Sequence, residues 1–550
     1  MYSDLHCHPS MIPFNHLRHT KDFGTSRFNL YNIPEKSLKI LKKQKKKGFK
    51  QFLTSYPQSD LATCSRANVR LVFASLYPPE TGFFMGNDRT NIDAEVVRYA
   101  VEKLLKNKFL GRVAGIILYR SNRLLARTLN REGWVRDTVQ KLLMKFPRER
   151  INFIQGDRTD EKGYETVCKE NNPDKKKKYY DYFCELKLEH KMYMDSVDEA
   201  PPGTRKYSVI TNGNELDSVI DDEEKIAVVL TIEGMGMLAQ ERNKDNKQTK
   251  LRAVSRAVLK KRIRWLKRNH FFFVTLSHHF NNNLSGHAKS LPQIMQEITD
   301  QEPGMNGPLK DNGKVAIREL LSLKDDYSHD PSKGRRVLID VKHMSASSRQ
   351  EYYEILEANY KKEQEWIPVI ASHGGYANRK KLKDLIIQGK QGWEKDDSFE
   401  DGFYTWGINL CDEDVAMVVK TGGLIGISFD QRILGLSPGK KIESKRQWAW
   451  LITKNILAFA EVGGRAFPSK PEKIWDCLTI GTDFDGFIDP VNTFATAEYF
   501  DDYKNLLLEV LKGFTGQNRT RYFLNNHSPE ELVHKFCIEN AYQFVERNFS

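Results

Sequence analysis

Long hydrophobic runs are missing from this chain of 550 residues. No stretch of about 18 consecutive apolar residues occurs, so no membrane-spanning helix is expected. Cysteine is scarce: the seven (7, 64, 168, 184, 411, 477 and 537) are scattered, with no C-x-x-C pair. An odd, dispersed set fits a reduced compartment better than a disulfide framework. No period of 20–50 residues recurs, which excludes a solenoid or propeller. The opening residues, MYSDLHCHPS, show neither a basic stretch nor an apolar core, so no signal peptide is visible and a cytoplasmic location is expected.

What is present is ordinary globular material. Hydrophobic residues make up 39%, aromatics 11% and charged residues 29%, values that exclude a disordered or collagenous chain and supply a large core. The net charge of +14 suggests an anionic partner until its distribution is read. Lys36–Lys50 holds eight lysines and no acid, and Arg252–Arg268 holds eight Lys/Arg and no acid. Without these sixteen, 70 basic residues face 72 acidic ones. Both segments read as solvated helix faces outside the core, with weak contact to an anionic surface as the alternative. No nucleic-acid motif accompanies them, so no specific nucleic-acid partner is expected.

Eight short apolar runs punctuate the chain: Ser3–His8, Arg70–Tyr77, Ala227–Glu233, Phe271–His278, Val337–His343, Ile367–His373, Gly423–Phe429 and Leu478–Asp483. Near-continuous apolar, β-branched and aromatic character predicts strands buried on both faces. Amphipathic helices are predicted between most of them, at Asn91–Leu105, Leu251–Lys267, Gly313–Leu323, Ser345–Tyr360, Asp412–Lys420 and Gln447–Glu461. Strand–helix alternation predicts parallel strands, and eight units predict a (β/α)₈ barrel. We expect one elaborated barrel domain over 1–550, with insertions at 156–226, 375–405 and 430–476, an extra strand at Ile151–Gln155, and a helical C-terminal tail. In that tail Ser528-Pro529-Glu530-Glu531 reads as a capping box.

Chemistry gathers at the ends of the runs. The first closes with His6-Cys7-His8, the third with Glu233, the fourth with His278-His279, the fifth with His343, the sixth with His373 and the eighth with Asp483. Only 14 histidines exist, and six of them stand at these ends. The C-terminal face of a (β/α)₈ barrel is where active sites form. A lone histidine in an apolar strand is ordinarily a satisfied core residue; histidines and carboxylates closing separate strands together make a metal-site pattern. Side chains at i and i+2 share a face, so His6 and His8 can bind one ion. Glu233 can bridge two cations, and His343 and His373 can complete the second site. Water between two divalent ions about 3.5–4 Å apart becomes hydroxide near neutral pH. Asp483 can then ligate, orient that water or carry its proton. Cys7 should face away from the ligands. His16, His279 and His287 read as ordinary polar residues.

In this order the segments resemble the membrane (renal) dipeptidase family of metallopeptidases, within the amidohydrolase superfamily. Leu230-Thr231-Ile232-Glu233-Gly234 resembles the segment whose Glu bridges two zinc ions. Thr275-Leu276-Ser277-His278 is similar to a T-L-T-H strand whose His contacts substrate, with Asn281 at the spacing that follows. Ile339-Asp340-Val341-Lys342-His343-Met344-Ser345 resembles D-x-S-H-x-S, with one zinc-binding His. Pro368-Val369-Ile370-Ala371-Ser372-His373 resembles P-V-I-x-S-H, with the other. Gly481-Thr482-Asp483-Phe484-Asp485-Gly486 resembles G-S-D-F-D-G, whose first Asp is catalytic. Glu539-Asn540-Ala541-Tyr542-Gln543-Phe544 is similar to the closing G-x-N-x-x-R-V-F helix. The resemblance implies a barrel, two divalent metal ions, zinc by the family's habit, and hydrolysis of an amide bond in a small, dipeptide-like substrate. It implies His6, His8, Glu233, His343 and His373 as ligands, Asp483 and His278 as catalytic groups, and Asn281 beside the substrate.

Two departures follow. The family has H-x-D at the first strand where this chain has His6-x-His8, which leaves the first metal less neutralised and opens direct ligation to Asp483. The family's Arg-Asn-x-x-Asp, whose Arg holds the substrate carboxylate, aligns with Ile408-Asn409-Leu410-Cys411-Asp412. An apolar side chain cannot make that contact. Arg379 or a neighbouring lysine then takes over, or the substrate is a non-peptide amide, lactone or ester. A barrel recruited as a binding protein through its basic segments is the reading from another class. A homo-oligomer is compatible with all three.

Overall fold

In the computed structural model the described residues are 1–14, 29–47, 56–78, 80, 182–242, 251–291, 300–385, 402–436, 442–486 and 488–549. The expected helix Asn91–Leu105 and strand Ile151–Gln155 lie outside them, as do His16 and most of the 375–405 insertion.

Each of the eight apolar runs contains a strand. These are β1 (Tyr2–Cys7), β2 (Val69–Leu76), β4 (Lys225–Ile232), β7 (Phe273–Thr275), β8 (Leu338–Asp340), β9 (Ile370–Gly374), β10 (Leu424–Ile427) and β11 (Leu478–Ile480). They pair in parallel in that order, for example Leu71 through Leu76 of β2 against Ala227 through Ile232 of β4. β2 is buried at all eight positions, as a strand covered on both faces must be. The sheet closes on itself where Cys7 bridges Phe484. The Asp483 amide donates to the His6 carbonyl (2.8 Å), and Asp4 accepts from the Thr482 amide (2.9 Å) and hydroxyl (2.5 Å). The fold is a (β/α)₈ barrel with elaborated loops and a helical C-terminal tail.

Helices cover the outside near their expected places: Arg256–Arg268, Asp311–Leu320, Ala346–Glu363, Asp412–Thr421 and Lys445–Ala466. Ser345 caps one by accepting from the Ser348 amide, and that helix stops where Gln364 turns left-handed (φ 57°). The capping box at Ser528 is half formed. Ser528 accepts from the Glu531 amide, while the Glu531 carboxylate turns to His527.

The structure corrects three readings. Leu251–Ala253 is not helical; it is β6, paired antiparallel with β5 (Gln240–Arg242). A short strand, β3 (Lys206–Val209), pairs with the first half of β4, whose far end alone meets β7. The basic helix does not put all its charge outside. Arg262 is buried and donates to the carbonyls of Met237, Leu238 and Gln240; Lys267 is buried against Ser322 and the Lys333 carbonyl. Long cationic side chains reach such acceptors across a helix flank, which spacing alone does not show. Cys7, Cys64, Cys411, Cys477 and Cys537 are free and buried. Among the described residues no helix is long and apolar enough to cross a membrane.

Candidate metal centre

Parallel strands all point their C-terminal ends the same way, so whatever closes each run meets at one end of the barrel. There the Glu233 carboxylate is the meeting point of five imidazoles. Nε2 of His6, His278, His343 and His373 lies 3.5, 3.4, 3.3 and 3.6 Å from Oε1, and Nε2 of His8 lies 3.2 Å from Oε2. Asp483 stands across the cluster, 3.5 Å from His8 and 3.9 Å from His373. Glu233 and the five histidines are all at most 4% exposed. The ligand atoms of His6, Glu233, His373 and Asp483 fall within 4.8 Å of one another, as do those of His278, His279 and His343.

The outer face of each ring decides what its inner nitrogen can do. His8 Nδ1 lies 2.9 Å from the Ser75 carbonyl, which only accepts, so Nδ1 carries the proton. Ser372 Oγ donates to Asp340 (2.5 Å) and therefore accepts from Nδ1 of both His6 (3.0 Å) and His373 (2.9 Å). Three rings thus turn Nε2, the nitrogen left to take up a proton or a cation, toward a carboxylate. Nε2 of His6 and of His8 is buried without a hydrogen-bond partner. Lone pairs facing a carboxylate repel it unless a proton or a cation lies between, and imidazoles around one shared carboxylate are a donor set for a divalent transition metal. The residues fit such ions.

His278 differs. Its Nδ1 donates to Glu80 (2.5 Å), so the ring is clasped between two carboxylates. Burial opposes its charge, but Glu233 and Glu80 outweigh that and raise its pKa to about 9. His8 is likewise raised to about 10, burial being outweighed by Asp483 and Glu233. His343 and His373 are held well below the ordinary value by burial. Burial works against ionised Glu233, yet His278 and His6 hold its carboxyl well below the usual range. Asp483 is pushed up by burial, and Glu233 adds to that while His8 opposes it.

Backbone geometry makes room for this crowding. His343, Asp483 and Asp485 have left-handed φ of 64°, 63° and 62°, a cost borne at functional sites. Gly234 (φ 80°) follows Glu233, and a Cβ there would lie 2.8 Å from Cβ of His278. A Cβ on Gly486 would lie 2.2 Å from the Asp483 carboxylate.

The structure therefore brings together His6, His8, Glu233, His278, His343, His373 and Asp483. His279 joins them, its ring 3.7 Å from His278 and 5.3 Å from His343, where the sequence reading leaves it an ordinary polar residue. His287 instead bonds to the Ala288 and Pro303 carbonyls. The Asn281 side-chain oxygen accepts from Lys310 and from the Asn283 amide. Arg379 donates to the Asn378 carbonyl. The Ile408 side chain packs with Ala288, Trp406 and Ile433. Sequence reasoning missed Glu80, Ser372 and Asp340 as partners of the rings. For Glu80 the available signal was an acid just past the end of β2.

No protein-family model and no curated protein matches the sequence. Among solved structures the chain is similar to a metallopeptidase called dipeptidase AC, at 11% identity and a TM-score of 0.43, over 90% of each chain. It is similar to a metallopeptidase from Rhodobacter sphaeroides bound to a phosphinate mimic of the dipeptide L-Ala-D-Ala, at 10% identity and a TM-score of 0.44, over 100% of this chain and 99% of that one. It is also similar to an amidohydrolase from Pseudomonas aeruginosa, at 13% identity and a TM-score of 0.37, over 66% of this chain and 84% of that one.

Proposed function

We propose that the chain is a metal-dependent hydrolase that uses two divalent ions, zinc by donor type, to cleave an amide bond in a small dipeptide-like substrate. His6, His8 and Glu233 would hold one ion; Glu233, His343 and His373 would hold the other. The observation that carries this reading is the convergence of five imidazole Nε2 atoms on the single Glu233 carboxylate, three of them with the proton fixed on the outer nitrogen. Bound there, such ions supply a Lewis acid for a carbonyl oxygen and a water acidified to near neutral pH.

The chain's own groups do the rest. Asp483, its basicity raised by burial and by Glu233, accepts the proton of the attacking water and delivers it to the leaving nitrogen. His278, doubly protonated between Glu80 and Glu233, presents an N–H to the oxyanion that develops at the carbonyl. Burial of the cluster excludes bulk water and strengthens both interactions.

Metal analysis after reconstitution tests the reading. About two equivalents of transition metal per chain are expected; fewer than one would refute it.

A further inference from the structure

Buried cations in this fold are generally well satisfied. Arg262 has three carbonyl acceptors and Lys267 has two acceptors. Arg349 has the Asp414 carboxylate and the carbonyls of Asn409 and Gly407. Lys342 stands apart. It is 1% exposed, and its Nζ donates to one acceptor, the Ile408 carbonyl at 3.2 Å. Among the described residues it forms no ion pair. An ammonium has three N–H donors, so two remain to be used, and a buried charge left so is costly.

Its position ties it to the metal centre. Lys342 lies in the turn two residues beyond Asp340, whose carboxylate accepts from the Lys342 amide (2.9 Å) and underlies His6 and His373 through Ser372. It immediately precedes His343. Its Nζ would lie 3.9 Å from a Cβ on Gly374, so the missing side chain next to His373 leaves it space. The carboxylates that act on it are Asp483, Asp340, Asp430 and Glu233, all beyond ion-pair distance. Asp430 is itself occupied by Arg432. The Ile408 side chain is turned into the Trp406 and Ile433 cluster, so residue 408 offers Lys342 only its carbonyl.

We propose that the Lys342 ammonium is the anion-recognising group of this site and binds the free carboxylate of the substrate. The inference rests on the hydrolase reading and adds the residue of this chain that would hold a carboxylate near the scissile bond. A lysine binds as a point charge rather than as a planar fork, so one carboxylate oxygen is held, and orientation comes from the surrounding walls.

The test uses the full-length, metal-reconstituted protein and two probes differing only at one group, leucylglycine and leucylglycinamide. Calorimetry at a pH where both are stable gives their dissociation constants, with metal content measured on the same samples. The wild type should bind the acid about tenfold or more tightly than the amide, as a charge-assisted contact requires. Lys342→Met should bring that ratio to about 1 by weakening the acid alone, and Lys342→Arg should restore part of it. A metal-loaded wild type that shows no preference for the acid, or a Lys342→Met protein that keeps it, overturns the inference and leaves the hydrolase reading standing. A protein that binds no metal overturns both.

Discussion

Ser372 donates its hydroxyl proton to Asp340 at 2.5 Å. It has no other proton to give, so both imidazoles that touch its oxygen, His6 and His373, must donate to it. One hydroxyl thereby sets the tautomer of two rings that come from opposite sides of the proposed metal pair. Ser372→Ala should weaken metal binding by about 10–100-fold, the usual cost of removing an outer partner of a ligating histidine. Competition with a chelating dye measures it. An unchanged affinity would show that the rings are oriented by packing alone.

Protons and metal ions compete for the same ring nitrogens. His8, raised to about 10 by Asp483 and Glu233 against the effect of burial, holds a proton at neutral pH when no ion is present. Metal binding must eject it, so affinity should rise with pH. Calorimetric titration in two buffers of different ionisation enthalpy should give different apparent heats. Equal heats would contradict the assignment.

Gly234 permits the close approach of Glu233 and His278. Its φ of 80° and the 2.8 Å gap to Cβ of His278 leave no place for a methyl group. On the proposed roles, in which His278 is the oxyanion donor rather than a ligand, Gly234→Ala should lower turnover strongly while the metal stays bound. Loss of metal with turnover would assign His278 to the coordination sphere.

His190 rests edge-on against Trp265 (5.3 Å) and beside Phe271 (5.6 Å). Burial lowers its pKa to about 4, against an ordinary 6.5. A lowered folded pKa means the unfolded chain takes up the proton first. The stabilisation is complete above about pH 6.5 and is lost as pH falls toward 4, about 3 kcal/mol in all. His190→Phe should abolish that part of the slope. Urea midpoints of the two proteins between pH 7 and 4 would run parallel if the ring were not buried neutral.

Arg349 holds the segment that carries Ile408. It bonds to the carbonyls of Gly407 and Asn409 and to Asp414, and both charged partners are almost fully buried. Arg349→Met strands the Asp414 carboxylate and should cost about 3–5 kcal/mol. A double variant that also removes Asp414 should recover most of it, as read by denaturant unfolding.

The barrel was legible because strands buried on both faces read as continuous apolar runs, and the side-chain cluster because scarce histidines closed such runs. β3 escaped notice for the opposite reason: its four residues are mostly part-exposed and carry no such pattern. The roles of Ser372, Asp340 and Glu80 depend on which strand ends lie side by side and at what register, and no local spacing expresses that. Arg262 and Lys267 were visible as charge, but the carbonyls that accept from them belong to segments far away in sequence. His279 was judged by its neighbours along the chain, whereas its place follows from the turn after β7.

The seam of the barrel has a temporal side. β1 brings His6 and His8, and the loop after β11 brings Asp483. The two are stitched by Asp4 and Thr482, 478 positions apart. Asp483 is made long after His6 and His8, so the proposed proton acceptor can meet the proposed ligands only late in synthesis. Of all contacts in the molecule this is among the longest in range, and long-range closure is slow. The two sides of the proposed site therefore meet only when the first strand is joined to the loop after the last one.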